Sequence, residues 1–260
     1  MIRSKNVSFR QYLYWSDTSA SDLKEFMRSP MHYQAHKRGQ FKPPSLAMAK
    51  GTAVHAWLEG DEVFRNAYVV APNIDRRTKA GKERFAEFQA EHEGKTVLSA
   101  ADYADVKGMV ESVRREPKIR PWLSSPTAEH EVSYRWTHRG SGLSCKCRSD
   151  LDEKEERIVL DFKTTQDASL DGFAKSIRFF KYDLSAVHYM EGTGCERYGW
   201  IAVESSPPYA ACLYWLEIGP RFKAMAELRE RELDRLAEFK ISMEDREWPS
   251  YNNGECDIVW

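Results

Sequence analysis

Apolar and polar residues alternate along two neighbouring segments in the middle of the chain. The first, about residues 143–151, alternates without a break, with apolar side chains at Leu143, Cys145, Cys147 and Leu151 and polar ones at Lys146, Arg148, Asp150 and Asp152. The second, about residues 157–164, places Ile158, Leu160 and Phe162 on one side and Val159, Asp161 and Lys163 on the other. A period of two residues is typical of half-buried strands, so we predict a β-hairpin with a charged turn.

The register of this hairpin decides which carboxylates meet. With an even-numbered turn, for instance Lys154 and Glu155 alone, Asp150 lies opposite Val159 and diagonal to Asp161 on the same face. Diagonal neighbours lie roughly 7 Å apart at Cβ, so one divalent cation can bridge the two carboxylates. Lys163 shares this face, and its ammonium can stabilise the charge that develops when a phosphodiester is cleaved. The alternative is an ordinary solvated strand face.

Periodicity and capping residues predict the remaining elements. Helices are expected at about residues 22–27, from Ser29-Pro30 onward, and at about 52–59, 79–92, 101–116, 170–192 and 220–241. Further strands are expected at about residues 130–137, 197–204 and 209–218. We predict a single α/β (α+β) domain over residues 1–260, with a helical part to about residue 125, a sheet-containing core over 126–220 and a C-terminal helix and tail over 221–260.

Composition narrows the class of protein. The N-terminus lacks the apolar run of a signal peptide, and the longest apolar stretch, about residues 209–216, is too short to span a bilayer. We therefore expect a soluble cytoplasmic protein without a membrane partner. The five cysteines lack a Cys-x-x-Cys spacing, which favours reduced core thiols over a metal or iron-sulfur site.

The balance of charge limits how the chain could bind nucleic acid. Its net charge of -1 excludes the overall basic field of a nonspecific DNA-coating protein. Any DNA contact must be local, and the best basic stretch contains Arg76, Arg77, Lys79 and Lys82. Such runs are also common on solvated surfaces, so phosphate contact and simple solvation both remain open for this segment.

The order of Asp150 followed by Asp161-Phe162-Lys163 resembles the PD-(D/E)xK nuclease superfamily. Upstream, Gly51-Thr52-Ala53-Val54-His55 is similar to the histidine-bearing helix of the RecB-like and RecE-like branches. The segments Ser19-Ala20-Ser21-Asp22-Leu23 and Ser29-Pro30-Met31-His32-Tyr33 resemble the opening of RecE-type exonucleases, and residues 75–82 resemble their basic loop. The similarity covers about residues 10–220. It implies a PD-(D/E)xK core in which helices flank a central mixed β-sheet, with helical decoration at the N-terminus.

The resemblance also implies roles for particular residues. His55, Asp150 and Asp161 would hold Mg²⁺, with Mn²⁺ able to substitute, and Lys163 would stabilise the nucleophile or the transition state. From the residues alone, a histidine in such a helix is more often a packed core residue than a metal ligand. Glu131 lies on the strand predicted before the hairpin and would join the metal site if its side faces the cleft; a solvated glutamate is the alternative.

One position departs from the pattern of this branch. The helix after the catalytic strand usually carries Gln-x-x-x-Tyr, whereas this chain has Ser185 and Tyr189 at the same spacing. Serine is too short to reach what glutamine reaches, and His188 or Tyr182 could substitute. We predict that Tyr182, Ser185 and Tyr189 contact DNA; an amphipathic helix with a buried tyrosine is the alternative.

The function implied by the resemblance is that of a RecE-type exonuclease. Such an enzyme degrades one strand of linear double-stranded DNA, 5′ to 3′, and leaves 3′ overhangs for recombination by strand annealing. The resemblance also implies a RecT-like annealing partner, a toroidal trimer or tetramer, and a phage or prophage gene. The alternatives are a RecB-like DNA-end processing or defence nuclease and a catalytically inactive DNA-end binding module.

Overall fold

A computed structural model describes the protein at residues 1–40, 45–242 and 248–254. The strands are β1 (Ile2–Ser4), β2 (Tyr68–Val70), β3 (Thr96–Leu98), β4 (Ala128–Thr137), β5 (Ser144–Glu153), β6 (Ile158–Thr165), β7 (Arg197–Glu204) and β8 (Ala211–Trp215). The helices are α1 (Phe9–Tyr14), α2 (Ala20–Arg28), α3 (Pro30–Lys37), α4 (Leu46–Glu59), α5 (Asp61–Ala67), α6 (Lys79–Glu91), α7 (Ala100–Arg115), α8 (Arg120–Leu123), α9 (Leu170–Phe179), α10 (Tyr182–Thr193) and α11 (Pro220–Ser242). Within these described ranges, no helix combines the length and apolarity needed to cross a bilayer.

Six strands form the central sheet, in the order β1-β4-β5-β6-β7-β8. Strands β6 and β7 run parallel, whereas the other neighbouring pairs are antiparallel. The short strands β2 and β3 form a separate parallel pair. Helices cover this mixed sheet, which confirms the predicted α/β fold class.

The alternation predicted for β6 divides its apolar side chains between two clusters. Leu160 and Phe162 pack with Val54 of α4 and Val106 of α7. Val159 packs instead with the cluster that contains Phe173 of α9 and Ala186 of α10. Each fully buried apolar side chain contributes roughly 1.5–3 kcal/mol, so both layers fix the orientation of β6 and of the polar residues it carries.

The alternation predicted for β5 is interrupted. Cys147 packs in a third cluster with residues of α2, α3 and α11, whereas Leu151 belongs to the cluster under α4 and α7. The ladder with β4 passes from His130–Leu151 to Val132–Ser149, around Glu131, whose φ is 53°. A left-handed residue in a strand disturbs the regular pleat, which explains why the prediction of an unbroken alternation was wrong.

The predicted helical segment over residues 170–192 is divided in two. Helix α9 ends at Phe179, and α10 begins at Tyr182. Lys181 between them has φ 50° and ψ 47°, a left-handed conformation in which a helix cannot continue. The break gives α10 a direction of its own.

The C-terminal part of the described chain folds back on its own molecule. Trp248 is buried and stacks on Tyr33 with 5.1 Å between ring centroids. The hydroxyl of Tyr251 accepts a hydrogen bond from Arg28 Nε at 3.2 Å. Residues 255–260 lie outside the described ranges.

A buried polar network joins α10 to α11. Arg229 is 1% exposed, donates from Nε to His188 Nδ1 at 3.1 Å, and forms ion pairs with Glu191 and Glu230. His188 Nε2 donates to the carbonyl of Lys146 at 3.1 Å. Burial and the charge of Arg229 lower the pKa of His188 to about 3, so its ring stays neutral in the folded protein.

We expect stability to fall as the pH drops below about 6.5. In this range His188 binds a proton in the unfolded chain but stays neutral in the folded protein. Between pH 6.5 and 5 the free energy of unfolding should fall by about 2 kcal/mol from this group. Denaturant unfolding at several pH values measures it. The difference between wild type and His188→Gln isolates this group, and equal pH slopes would contradict the assignment.

Candidate metal and catalytic site

The candidate site lies where β5 separates from β6. The two strands pair at Leu151–Leu160, Asp152–Val159 and Glu153–Ile158, and four residues form the turn between them. This register sets Asp150 level with Asp161, so the expectation that Asp150 lies opposite Val159 was wrong. The reason is a turn two residues longer than Lys154 and Glu155 alone.

The carboxylate of Asp150 takes part in the backbone hydrogen bonding of the sheet. Its Oδ2 accepts a hydrogen bond from the Phe162 N–H at 2.7 Å. This side-chain oxygen therefore accepts a hydrogen bond from a backbone N–H of β6 that lies beyond Leu151–Leu160, the last pair of the two strands. This bond fixes one oxygen of Asp150 and leaves the other directed toward neighbouring side chains.

Helix α4 brings His55 to the other oxygen of Asp150. His55 Nδ1 lies 3.4 Å from Asp150 Oδ1, and its ring meets Phe162 edge-on, with 5.6 Å between ring centroids. The helix approaches β6 closely at Gly51, where an added Cβ would lie 3.2 Å from Thr164 Oγ1. The small residue thus permits the spacing that places His55 beside the carboxylate.

Glu131 reaches the same place from β4. Its left-handed backbone directs the side chain out of the regular pleat, and an ion pair with Arg148 holds the carboxylate. Arg148 is held in turn by bonds to Ser133 Oγ at 2.9 Å and to the carbonyl of Val7 at 2.7 Å. One ligand atom each of His55, Glu131 and Asp150 lies within 4.8 Å of the others, a spacing that suits one cation.

Asp161 and Lys163 extend this group along β6. Lys163 Nζ forms an ion pair with Asp161 Oδ2 and donates to the Phe162 carbonyl at 3.2 Å. Burial and the charge of Asp150 raise the pKa of Asp161 to about 6, despite the neighbouring ammonium. Burial by itself would raise the pKa of Asp150 as well. The effects of His55 and Lys163 are larger, so the pKa of Asp150 is lowered.

Carboxylates that lie this close together can form a binding site for a divalent cation. Asp150 and Asp161 approach within hydrogen-bonding distance, so their negative charges repel unless a proton or cation lies near them. Carboxylate oxygens with one imidazole are suitable ligands for a hard divalent ion. The structure therefore contains a possible acidic metal site formed by His55, Glu131 and Asp150, and Asp161 lies beside it next to Asp150.

Helix α10 begins beside Lys163, at Tyr182. Tyr182, Ser185 and Tyr189 share one face of the helix by their spacing, and the charge of Asp161 acts on both tyrosines. Lys163 Nζ lies 5.1 Å from the centre of the Tyr182 ring. His188 cannot replace the missing glutamine, because its ring is occupied by Arg229 and the Lys146 carbonyl in the core.

The predicted basic residues lie elsewhere on the surface, before and within the first turns of α6. Arg77 is bound to Asp75, with 2.9 Å between Nε and Oδ1, and Lys79 lies 3.9 Å from Glu83. Arg76 packs over the Phe85 ring, 4.6 Å from its centre, and Lys82 is exposed. Among the contacts of the described residues, none joins this segment to Asp150 or Asp161, so its part in DNA binding remains a prediction.

Sequence reasoning missed Lys24 as well as the role of Arg148. Lys24 Nζ on α2 lies 5.6 Å from the centre of the Tyr182 ring and is close enough to interact electrostatically with Lys163 and Asp161. It directly follows a segment singled out for its RecE resemblance, but no local pattern shows that α2 meets α10. Arg148 shares the polar side of the predicted strand with Asp150, which was the available signal.

Replacing His55 with alanine should reduce the nuclease activity that the resemblance implies more than it reduces stability. Removal of a fully buried ring costs about 3–5 kcal/mol, but the His55 side chain is 28% exposed, so the loss of packing should be smaller. The melting temperature and the turnover at saturating Mg²⁺ measure the two effects. His130→Ala is the matched control, because its imidazole also contacts the Phe162 ring, with 6.5 Å between ring centroids, but is outside the possible ligand group. A large loss of stability with little loss of turnover would make His55 a packing residue.

Comparison with known proteins shows which solved structures resemble this one. Among solved structures, a candidate exonuclease from Eubacterium rectale is similar with a TM-score of 0.59 and 13% identity, covering 89% of this chain and 84% of that chain. A phage-related exonuclease from Haemophilus somnus 129PT matches with a TM-score of 0.41 and 13% identity, covering 89% of this chain and 97% of that chain. At such identity the first likeness concerns the fold. No curated protein matches the sequence significantly.

The family assignment comes from the sequence as a whole. Residues 19–259 match the family described as "PDDEXK-like domain of unknown function (DUF3799)". The matched range includes all the residues of the possible metal site and Lys163. The PD-(D/E)xK resemblance is thereby confirmed, and the chain belongs to the PDDEXK-like DUF3799 family.

Proposed function

We propose that this protein is a Mg²⁺-dependent DNA exonuclease of the RecE type. It would degrade one strand of linear double-stranded DNA, 5′ to 3′, and leave 3′ overhangs for recombination by strand annealing. The observation that carries the proposal is the convergence of Asp150, Asp161 and Lys163 where β5 leaves β6, with His55 and Glu131 beside them. Membership in the PDDEXK-like family supports nuclease activity and dependence on a divalent metal.

The geometry suggests a division of roles. His55, Asp150 and Asp161 would hold Mg²⁺ or Mn²⁺, and Glu131, fixed by Arg148, would be a further ligand. When bound, the cation would polarise a phosphate oxygen and lower the pKa of water. Lys163 would place its ammonium next to the scissile phosphate and stabilise negative charge there, as its pairing with Asp161 suggests.

Contacts with DNA would be local, because the chain has a net charge of only -1. Tyr182, Ser185 and Tyr189 on α10 would face the strand being cut, and Arg76, Arg77, Lys79 and Lys82 would contact phosphates farther along the duplex. We infer that residues 1–260 act as one nuclease domain in the bacterial cytoplasm. A phage or prophage gene and a RecT-like annealing partner complete the proposal.

Digestion of end-labelled linear duplex tests the proposed function. Mg²⁺-dependent release of 5′ label before 3′ label, with closed circular DNA left intact, is the expected result. Chelation of the metal should stop the reaction, and added Mn²⁺ should restore it. Cleavage of the circle, or release of 3′ label first, would favour a RecB-like end-processing or defence nuclease instead.

Ser185 favours a second candidate function, an inactive DNA-end binding module. A serine at position 185 of α10 cannot make the contacts that a glutamine makes in the related branch. Such a module would bind duplex ends without releasing label under any metal condition. The complete set of Asp150, Asp161 and Lys163 argues for cleavage.

We expect a ring-shaped trimer or tetramer that encloses the duplex. A near-neutral protein binds DNA only weakly by electrostatic attraction, and the affinity from phosphate contacts falls steeply with salt. A closed ring of subunits would keep the enzyme bound to the DNA as it moves along it. Sedimentation velocity at micromolar protein, with and without linear duplex, measures the assembly. A strict monomer in both conditions that still degrades long DNA processively would contradict the ring.

A further inference from the structure

The turn between α9 and α10 exposes two aromatic rings. Phe179 is 80% exposed and Phe180 is 50% exposed. Large aromatic side chains with this much free surface often mark a binding surface. Phe179 ends α9 and Lys181 has a left-handed backbone, so the turn presents both rings beside the start of α10.

The two rings connect through a series of contacts to the candidate site. Phe179 meets Phe180 edge-on, with 4.9 Å between ring centroids, and Phe180 stacks on Tyr182 at 5.4 Å and 22°. Tyr182 contacts Lys163, which is paired with Asp161. Because Phe180 is supported by Tyr182 on one side, the ring of Phe179 has the larger free surface for a ligand.

Positive charge collects around the same rings. Lys24 and Lys163 lie 5.6 and 5.1 Å from the centre of the Tyr182 ring, and the charge of Lys181 also acts on Lys24. Two carboxylates act on Lys24, but both have cationic partners: Asp161 pairs with Lys163, and Asp183 with Arg221. The local balance therefore favours a polyanion over an apolar protein segment.

We propose that this aromatic surface, formed by Phe179, Phe180, Tyr182 and Lys24, binds an unpaired nucleotide of the strand that is cut. The base stacks on Phe179, and Lys24 contacts a phosphate of the same strand. Aromatic faces stack on any base, and adjacent cations hold the backbone, so the surface fits a single strand without sequence preference. The inference rests on the proposed nuclease function and adds a preference for ends with unpaired nucleotides near the cleavage position.

Binding to defined DNA ends tests this surface. In an Asp161→Asn background, which prevents cleavage, fluorescence anisotropy compares blunt ends, ends with unpaired nucleotides, and the same ends with abasic sites scanned along the unpaired segment. Phe179→Leu should weaken binding of ends with unpaired nucleotides by at least about fivefold. This factor corresponds to the lower limit of the binding energy of one stacked base, about 1 kcal/mol. Phe179→Trp should preserve binding. Lys24→Gln should weaken binding of intact and abasic ends alike.

The abasic substrates separate stacking from general effects. One abasic site in the scan removes the base that stacks on Phe179. On that substrate, Phe179→Leu should bind as tightly as the protein that keeps Phe179. Phe9→Leu is the matched control, since Phe9 is 60% exposed on α1 and lies outside the surface. Unchanged binding by Phe179→Leu, or an equal loss on every abasic end, would overturn the inference while DNA cleavage by wild type stands. Failure of both wild type and background to bind any DNA end would overturn the proposed function as well.

Discussion

Replacing Asp161 with asparagine should abolish nuclease activity, lowering turnover by about a thousandfold or more. A catalytic cation supplies several kcal/mol of transition-state stabilisation, and each 1.4 kcal/mol is worth about a factor of ten in rate. Asparagine keeps the shape of the side chain but removes the charge that would hold the cation. The fold should survive, because the raised pKa of Asp161, about 6, shows that the folded protein does not favour this charge without a cation.

Asp150→Asn should abolish activity as well, and Asp152→Asn is the matched control. Asp152 is buried two residues along β5, but its carboxylate binds the Tyr134 hydroxyl and Arg3 rather than the possible metal ligands. The control should therefore lose stability and keep its turnover. End-labelled linear duplex and a melting curve measure both quantities for each variant. Undiminished cleavage by purified Asp161→Asn would remove the central claim.

Lys163→Gln should lower turnover by about a hundred- to a thousandfold while leaving a folded protein that binds DNA ends. Lys163 is the ammonium nearest Asp161, and loss of one such electrostatic contact with a transition state has effects of this size. Glutamine keeps most of the side-chain stem next to Tyr182. Turnover measured against Mg²⁺ concentration separates two causes of the loss, weaker metal binding and poorer chemistry.

The comparison variant for Lys163 is Lys24→Gln, at the other lysine near the Tyr182 ring. Its main effect should be on the affinity for DNA, so KM should rise more than kcat falls. If high Mg²⁺ restores the full turnover of Lys163→Gln, the ammonium acts only by holding Asp161 ready for the metal. Its assigned part in transition-state stabilisation would then be wrong.

The sequence predicted the strands that carry the site but not the register between them. Strands β4, β5, β6 and β7 lie within two residues of their predicted bounds, because alternation and turn residues are local signals. The register depends on how Asp150 bonds to the Phe162 N–H and on the left-handed backbone of Glu131. Neither feature has a local signature in the residue pattern.

Other misses arose from contacts between distant segments. The break at Lys181 lies in a stretch whose composition suits a continuous helix, and tertiary packing overrides that preference. The approach of Lys24 to Tyr182 follows from how α2 packs on α10, which a single sequence does not show. The start of α4 at Leu46 was recoverable, since Ser45 is a good N-cap and its side chain accepts from Met48 N–H.

All five side chains of the candidate site stand on regular elements. His55 lies on α4, Glu131 on β4, Asp150 on β5, and both Asp161 and Lys163 on β6. Side chains on helices and strands hold their geometry better than those on loops, whereas connections tolerate insertion and replacement. Arg76 and Arg77 before α6 and the turn between α9 and α10 can therefore diverge among relatives without disturbing the residues of the candidate site. Under the proposed function, preference for a DNA end and the ability to cut it can thus evolve, and be redesigned, separately.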